Sequence, residues 1–315
     1  MDLFVILAIS FFAVCVFFFV AGYFCFVHAC KRSRKRDPAA RGYINTSRYK
    51  EYEREVAEEL ERYKEISAHG ECVEIKSHDG LTLRATYIPS PSFKKKLVIV
   101  FHGYRSCAEA DFGCIIGELI GEGISVLAVD QRSHGRSEGK YVTFGTHEKY
   151  DCRDWCRYAF ERFVEDVDIY IYGVSMGGAT VLMASALELP PNVRGVIADC
   201  PFTTPWEIIK RRLWRRYRVP VYPTIYFMNY WSRQLASFDF RGDSSEESAR
   251  SELPILIFHG KADSYVPISM SERIFSALGE KASFVKFDGA GHARSYLSDK
   301  RRYLYEFLRF IYRNE

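Results

Sequence analysis

The chain has 315 residues, which is enough for one or two domains, and 48% of them are apolar, so a sizeable core can form. Its net charge of +4 is small for this length, and nothing in the composition indicates a nucleic-acid partner. The nine cysteines have no regular spacing, which favours reduced thiols over a disulfide framework or a zinc site.

The N-terminal run from Leu3 to Val27 contains no charged residue. Because about 20 apolar residues suffice to cross a bilayer, residues 1–30 are predicted to form a transmembrane anchor. The run is preceded by Asp2 and lacks the positive start of a cleaved signal peptide. A basic cluster follows it, so the positive-inside rule predicts an external N-terminus and a cytoplasmic location for everything after residue 30. The cluster comprises Lys31, Arg32, Arg34, Lys35 and Arg36.

Residues 31–70 are predicted to join this anchor to the rest of the chain. Pro38 and Gly42 mark a short linker over 37–45. Apolar residues then recur every three or four positions from Tyr49 to Ile66, which predicts an amphipathic helix. We expect this helix to dock on the following domain as a spacer. The alternative is a dimerising coiled coil, but the apolar stripe of the helix is short for one.

From residue 71 to the C-terminus, strand and helix patterns alternate. Residues 72–76 and 81–88 alternate in polarity around His78-Asp79-Gly80, which predicts an antiparallel hairpin. Later apolar runs are typical of parallel strands that are buried on both faces, and helical segments separate them. The class is therefore α/β, with a mostly parallel, doubly wound sheet and a leading hairpin. The buried strands are expected at 97–101, 124–129, 169–172, 193–198, 255–258 and 283–287, and the helices at 108–122, 150–163 and 176–189.

Gly173-Val174-Ser175-Met176-Gly177 lies between a predicted strand and a predicted helix. This strand, sharp turn and helix arrangement exposes a serine as a nucleophile. A serine hydroxyl needs a base to accept its proton and an acid to orient that base. His292 lies in a glycine-rich loop before the last helix and is the predicted base, whereas His259 ends a strand and is expected to pack or to anchor a loop.

Two carboxylates follow strand ends and could orient the base. Asp263 follows the run at 255–258 and is favoured, and Asp199 is the second candidate. At the other side of the serine, His102-Gly103-Tyr104 ends the strand at 97–101. The backbone N–H groups of Tyr104 and Met176 are predicted to hold the oxyanion.

These residues together resemble the α/β-hydrolase superfamily, and within it the serine aminopeptidase (S33-type), monoacylglycerol-lipase-like and BEM46-like branch. Ser175, Asp263 and His292 follow the chain order of nucleophile, acid and base in that superfamily. The resemblance implies an α/β-hydrolase fold over 71–315 and a lid formed by the insertion at about 201–251. It also implies an acyl-enzyme mechanism with no metal and no organic cofactor.

The predicted function is that of a membrane-anchored serine hydrolase acting on a small acyl-ester or lipid-like substrate. The insertion carries aromatic side chains beside a basic helix, so its aromatics are expected to line an acyl pocket and its arginines to meet anionic headgroups. The alternative is that these side chains pack on the domain and remain solvated. Two other functions stay open: an aminopeptidase that binds a free amine through Glu207, Glu246 or Glu247, and a non-catalytic scaffold.

Overall fold

The computed structural model describes residues 2–32, 52–163 and 166–313. The predicted linker at 37–45, the cations at positions 34–36 and the start of the amphipathic stripe at Tyr49 lie outside these residues. The helices are α1 (Leu3–Cys30), α2 (Glu53–Ala68), α3 (Ala108–Gly121), α4 (Glu148–Phe163), α5 (Met176–Ser185), α6 (Pro205–Arg212), α7 (Val221–Ala236), α8 (Ile268–Leu278), α9 (Ser295–Ser298) and α10 (Lys300–Ile311).

In the described part of the chain, eight strands form one sheet in the order β1-β2-β4-β3-β5-β6-β7-β8. The first two strands are antiparallel, as predicted, and β3 to β8 are parallel to one another. The strands are β1 (Glu71–Lys76), β2 (Thr82–Ile88), β3 (Lys96–Phe101), β4 (Ile124–Asp130), β5 (Asp168–Val174), β6 (Val193–Asp199), β7 (Ile255–Gly260) and β8 (Ala282–Phe287).

Helices cover both faces of the sheet because the central strands are apolar on both sides. Residues of α3 and α10 pack against one face, and residues of α4, α5 and α8 pack against the other. This three-layer arrangement is the predicted doubly wound α/β architecture. It places the carboxyl ends of the parallel strands at a single edge, where such folds bind ligands.

A third apolar cluster covers that edge. It contains residues of α6 and α7, which belong to the insertion at about 201–251 and which we call the cap helices. These pack there with the last turns of α1 and with Met176. Cys25, Phe26, Ala29 and Cys30 of α1 are buried in it, whereas no residue from Leu3 to Phe18 is buried. The N-terminal helix therefore has a free outer half and an inner half that packs on the cap.

The first helix of the cap begins at a side-chain cap. Thr204 caps α6, since its hydroxyl accepts the Glu207 N–H at 3.1 Å. The Glu207 carboxylate does not return to the cap, because it accepts hydrogen bonds from Thr203 and Arg273 instead. A reciprocal capping box forms at Ser244 and Glu247, at the start of the 3₁₀ helix over Ser245–Arg250.

Candidate active site

Ser175 occupies the sharp turn between β5 and α5. Its backbone has φ 55° and ψ −110°, which a non-glycine residue adopts only where the surroundings enforce it. A Cβ on Gly177 would overlap the Phe101 carbonyl, and one on Gly173 would overlap the Gly177 carbonyl. The two glycines of the motif are therefore required by backbone contact, and they allow β5 to turn directly into α5.

The structure brings Ser175, His292 and Asp263 into one hydrogen-bond chain. The Ser175 hydroxyl lies 3.0 Å from His292 Nε2, where it donates to the ring nitrogen. His292 Nδ1 lies 2.6 Å from Asp263 Oδ2 and donates to that carboxylate. All three side chains come from loops or turns at the carboxyl ends of strands. The arrangement is that of a nucleophile, a base and an orienting acid.

The environment of Asp263 keeps its carboxylate ionised. Burial acts to raise its pKa, but hydrogen bonds from His259 and His292 hold the pKa well below its usual range. The other carboxylate oxygen accepts the backbone N–H groups of Tyr265 at 2.8 Å and Val266 at 2.9 Å. His259 itself is fully buried and contacts the Val266 carbonyl at 2.9 Å, so it anchors the loop that carries Asp263.

Asp199, the second candidate acid, has other partners. Its carboxylate accepts hydrogen bonds from the hydroxyls of Ser295 at 3.0 Å and Tyr303 at 3.1 Å. Burial raises its pKa to about 6. The backbone carbonyl of the same residue accepts the Ser175 N–H at 2.8 Å. Asp199 therefore supports the nucleophile turn and lies outside the chain from Ser175 to Asp263.

The end of β3 lies directly beside the serine. Phe101 is in register with Gly173 on the neighbouring strand, so the residues that follow the two strands are adjacent. A Cβ on Gly103 would stand 3.4 Å from the Ser175 Cβ. This register puts the backbone after β3 next to the first turn of α5, where Tyr104 and Met176 are predicted to supply oxyanion donors.

The loop after β4 braces this segment. His134 Nε2 accepts the Arg105 N–H at 3.1 Å, and its Nδ1 contacts the Arg132 carbonyl at 2.9 Å. Burial holds the pKa of His134 well below its usual value, so the ring stays neutral and can accept that bond. The loop at 130–137 therefore acts on the site by positioning the backbone next to Tyr104.

The last turns of α1 reach the same segment. The Tyr104 hydroxyl donates to the Ala29 carbonyl at 2.6 Å, and the Arg105 guanidinium donates to the His28 carbonyl. Arg32, a member of the basic cluster, donates to the carbonyls of Ser137 at 2.5 Å and Gly135 at 2.6 Å. The inner end of the N-terminal helix is therefore hydrogen-bonded to both loops beside the nucleophile.

A cleft of about 570 Å³ opens over Ser175. Sequence reasoning missed three residues around it. Asp111 accepts the Gly103 N–H at 2.6 Å, the Tyr265 ring lies 4.8 Å from the His292 ring, and Arg212 lies over the Tyr104 ring at 4.5 Å. A sequence signal existed only for Arg212, which belongs to the basic cap helix. The cleft is lined by Gly103, Tyr104, Ser106, Asp111, Val174, Ser175, Ala262, Ser264, Tyr265, Gly291, His292, Ala293 and Arg294.

Among the described residues, two groups have the donor atoms for a metal ion, and neither suits one. In the group of Cys200, Asp263 and His292, the last two are hydrogen-bonded to each other, and burial raises the pKa of the Cys200 thiol well above its usual value. In the group of His78, Asp79 and Asp151, the Arg132 guanidinium binds both carboxylates, at 2.9 Å and 2.6 Å.

Comparison with known proteins agrees with this architecture. The family model for serine aminopeptidase, S33, matches residues 93–242. The uncharacterized protein YqkD of Bacillus subtilis is 31% identical over 183 residues, which cover 58% of this chain and 60% of YqkD, so the match spans less than two thirds of that relative. The uncharacterized protein Rv2307c of Mycobacterium tuberculosis is 26% identical over 253 residues, covering 77% of this chain and 79% of the relative.

Solved structures share the fold. The esterase Pf2001 of Pyrococcus furiosus superposes with a TM-score of 0.65 at 23% identity, and the superposition covers 79% of this chain and 93% of the esterase. The sheet order, the nucleophile turn after β5 and the family match lead to one assignment. The chain has an α/β-hydrolase fold, and its residues 93–242 are similar to the serine aminopeptidase, S33 family.

Proposed function

We propose that this chain is a membrane-anchored serine hydrolase that cleaves carboxylic ester or related acyl bonds. The observation that carries the proposal is the hydrogen-bond chain from the Ser175 hydroxyl through His292 to Asp263, at 3.0 Å and 2.6 Å. A serine in such a chain can lose its proton to the imidazole while it attacks a carbonyl carbon.

The proposed reaction has two halves. Ser175 Oγ bonds to the carbonyl carbon, His292 takes the hydroxyl proton, and the amides of Tyr104 and Met176 hold the oxyanion. Collapse of this intermediate breaks the bond to the leaving group, which receives the proton from His292. Water then attacks the acyl-enzyme, again losing a proton to His292, and the carboxylic acid and the free Ser175 hydroxyl are regenerated.

Covalent labelling of the full chain with a fluorophosphonate tests this assignment. We expect the wild type to be labelled and Ser175→Ala to remain unlabelled, because the probe reacts with an activated serine. Ser276→Ala is the matched control, since this exposed serine only bonds the Glu272 carbonyl within α8 and should leave labelling intact. An unlabelled wild type would favour the non-catalytic scaffold.

A peptidase is the second candidate because the family model that matches residues 93–242 is named for a serine aminopeptidase. Glu207, Glu246 and Glu247, the carboxylates considered as binders of a free amine, have other partners in the structure. Arg273 pairs with Glu207 at 2.8 Å and with Glu246 at 2.9 Å, and Glu247 belongs to the capping box at Ser244. None of them lines the described cleft over Ser175.

Substrate profiling separates these candidates. The full chain is assayed with nitrophenyl esters, acyl thioesters and aminoacyl nitroanilides of matched acyl size. We expect turnover of esters or thioesters and none of the anilides. Faster cleavage of the anilides would replace the esterase proposal with the peptidase.

The membrane part of the proposal rests on α1, which is 28 residues long and has a mean hydropathy of 3.1 over its most apolar stretch. A helix of this length is about 42 Å long and can cross a bilayer. We propose an external N-terminus and a cytoplasmic catalytic domain, following the basic residues after α1. Protease treatment of sealed right-side-out vesicles tests the orientation. We expect the hydrolase domain to be protected, and its digestion would show that the orientation is reversed.

A further inference from the structure

The outer half of α1 is too short to cross a bilayer unaided. Phe19 contacts the cap helix α7, and the 16 residues that precede it, from Leu3 to Phe18, extend about 24 Å. The hydrocarbon core is about 30 Å thick and requires about 20 helical residues. Since Asp2 marks the polar limit at the outer end, the apolar layer extends to about Gly22. The residues from Phe19 to Gly22 therefore lie at the inner boundary of the hydrocarbon.

The cap helix α7 crosses α1 at this level. A Cβ on Gly22 would stand 2.6 Å from the Phe227 Cβ and 2.9 Å from the Met228 nitrogen, so the two helices are in backbone contact there. The Phe19 ring lies 4.7 Å from the Trp231 ring and 5.7 Å from the Tyr230 ring, and Trp231 Nε1 donates to the Phe19 carbonyl at 3.1 Å. The crossing point brings α7 to the bilayer boundary.

One face of α7 is exposed and aromatic. Tyr222, Tyr226 and Tyr230 recur every four residues and expose 51%, 54% and 47% of their surfaces. We name these three residues the cap tyrosine face. Cations accompany it, because Lys210 Nζ lies 5.2 Å from the Tyr222 ring. Tyrosine is enriched where a protein meets the headgroup layer, since its ring is apolar and its hydroxyl is polar.

The geometry points to a second membrane contact: the cap tyrosine face lies in the headgroup layer of the bilayer that α1 crosses. The occupant of this face is lipid, because Tyr230 touches Phe19 and the exposed face continues directly from the membrane helix. The inference rests on the proposed anchor, because the depth of α7 relative to the bilayer follows from where α1 crosses it.

This contact would place the active-site rim near the membrane. Two arginines, one in α6 and one in the π-helical turn after it, bond the loop that carries Asp263. Arg211 donates to the Ser264 carbonyl at 2.9 Å, and Arg215 donates to the same carbonyl at 2.6 Å. Ser264 lines the cleft over Ser175. An acyl chain leaving the bilayer beside α7 would therefore meet the cleft across a single helix layer.

Photocrosslinking of the full chain in nanodiscs of phosphatidylcholine and phosphatidylglycerol tests the inference. Benzoylphenylalanine replaces one residue at a time: Tyr226 in the cap tyrosine face, Phe12 in the outer half of α1, and Phe93 before β3. Phe93 is 40% exposed and lies at the amino edge of the sheet, opposite the cap. We expect lipid adducts by mass spectrometry at positions 12 and 226 and none at 93.

The outcomes distinguish the two proposals. Adducts at position 12 without adducts at 226 would overturn the cap contact and leave the anchor standing. Absence of adducts at position 12 would overturn the anchor, and the cap contact with it. Adducts at 93 as abundant as those at 226 would also overturn the cap contact, because lipid would then reach any exposed aromatic. Fluorophosphonate labelling of each variant reports separately on the hydrolase site.

Discussion

The nucleophile turn and the crossing of α1 with α7 both depend on a glycine in close contact, yet the contacts differ in kind. At the turn, Gly177 faces the Phe101 carbonyl, which is fixed in the centre of the sheet. At the crossing, Gly22 faces the Phe227 side chain and a neighbouring helix. A strand in a sheet cannot move without breaking its ladder, whereas two helices can separate by a fraction of an ångström. The first contact is therefore the stricter one, and substitutions can measure the difference.

Gly177→Ala should have the largest effect. Its Cβ would overlap backbone on the adjacent strand, so we expect a loss of more than about 4 kcal/mol and no labelled, folded protein. Gly121→Ala is the matched control, because a Cβ at that position meets nothing within 4 Å and should gain about 0.5–1 kcal/mol. Thermal unfolding of both variants is the measurement. A folded, labelled Gly177→Ala protein would show that the turn accepts a methyl group, as the crossing is expected to do.

Asp263→Asn should leave the fold intact and remove the carboxylate that orients His292. An amide cannot stabilise the imidazolium or fix its tautomer, so we expect kcat to fall about 10⁴-fold. Asp199→Asn is the matched control and should keep most of the activity, since its carboxylate bonds Ser295 and Tyr303. Ester hydrolysis by both variants is compared at one pH. Equal losses would reinstate Asp199 as a candidate acid.

The raised pKa of Asp199 predicts a pH dependence of stability around the turn. Well below pH 4 the carboxyl is protonated in both the folded and the unfolded state. Between about pH 4 and pH 6 the unfolded chain ionises, whereas the pKa of about 6 in the fold keeps the folded carboxyl largely protonated. The free energy of unfolding should therefore fall by about 2–3 kcal/mol between pH 4 and pH 6, relative to Asp199→Asn. Urea unfolding across that range measures it. If the free energy of unfolding depends on pH in the same way in the wild type and in Asp199→Asn, the raised pKa of Asp199 is contradicted.

Gly22→Ala probes the crossing with the same added methyl group as Gly177→Ala. Because α1 can shift against α7, we expect a loss of about 1–3 kcal/mol and a folded, labelled enzyme. Thermal unfolding in nanodiscs measures it, with Ala8→Leu in the outer half of α1 as the control that should change nothing. A loss as large as that of Gly177→Ala would remove the distinction between the two contacts.

Tyr104→Phe should have the smallest effect. It removes the 2.6 Å hydrogen bond to the Ala29 carbonyl and keeps both the backbone N–H and the ring that stacks on Phe144. We expect a loss of about 1 kcal/mol of stability and a modest fall in kcat with KM unchanged. Steady-state kinetics on a soluble ester measure it. A changed KM with unchanged kcat would show that the hydroxyl contacts substrate instead.

The sequence predicts the sheet and the chain of site residues because their signals are local. Apolar runs mark the buried strands, and Ser175 and Asp263 stand just after two of them, so the topology brings them to one edge. The helix predicted at 176–189 ends at Ser185, a few residues before the prolines at 190 and 191. The choice between Asp263 and Asp199 as the acid that orients His292 required side-chain geometry, because both residues stand at the ends of parallel strands.

The packing of α1 could not be predicted in the same way. Gly22 and Phe26 are apolar residues in an apolar helix, and hydropathy does not distinguish a side chain that faces lipid from one that faces protein. Gly22 meets Phe227 and Phe26 meets Tyr141, and both partners lie more than 100 residues later in the chain. The role of Asp111 in holding the Gly103 N–H is hidden for a related reason, since a carboxylate in the first turn of a helix is also a common capping residue.

The inner half of α1 has a consequence for how this protein is made. The helix precedes the sheet in the chain, yet its last turns complete the cap cluster around Met176 and hold the segment beside the nucleophile through the Ala29 carbonyl. A copy whose helix is never inserted would have to expose Leu3 to Phe18 to water, and a copy clipped after Cys30 would lack part of its core. With α1 as the proposed anchor, insertion in a membrane and completion of the cap cluster would depend on one helix, so activity would be acquired where that helix is inserted.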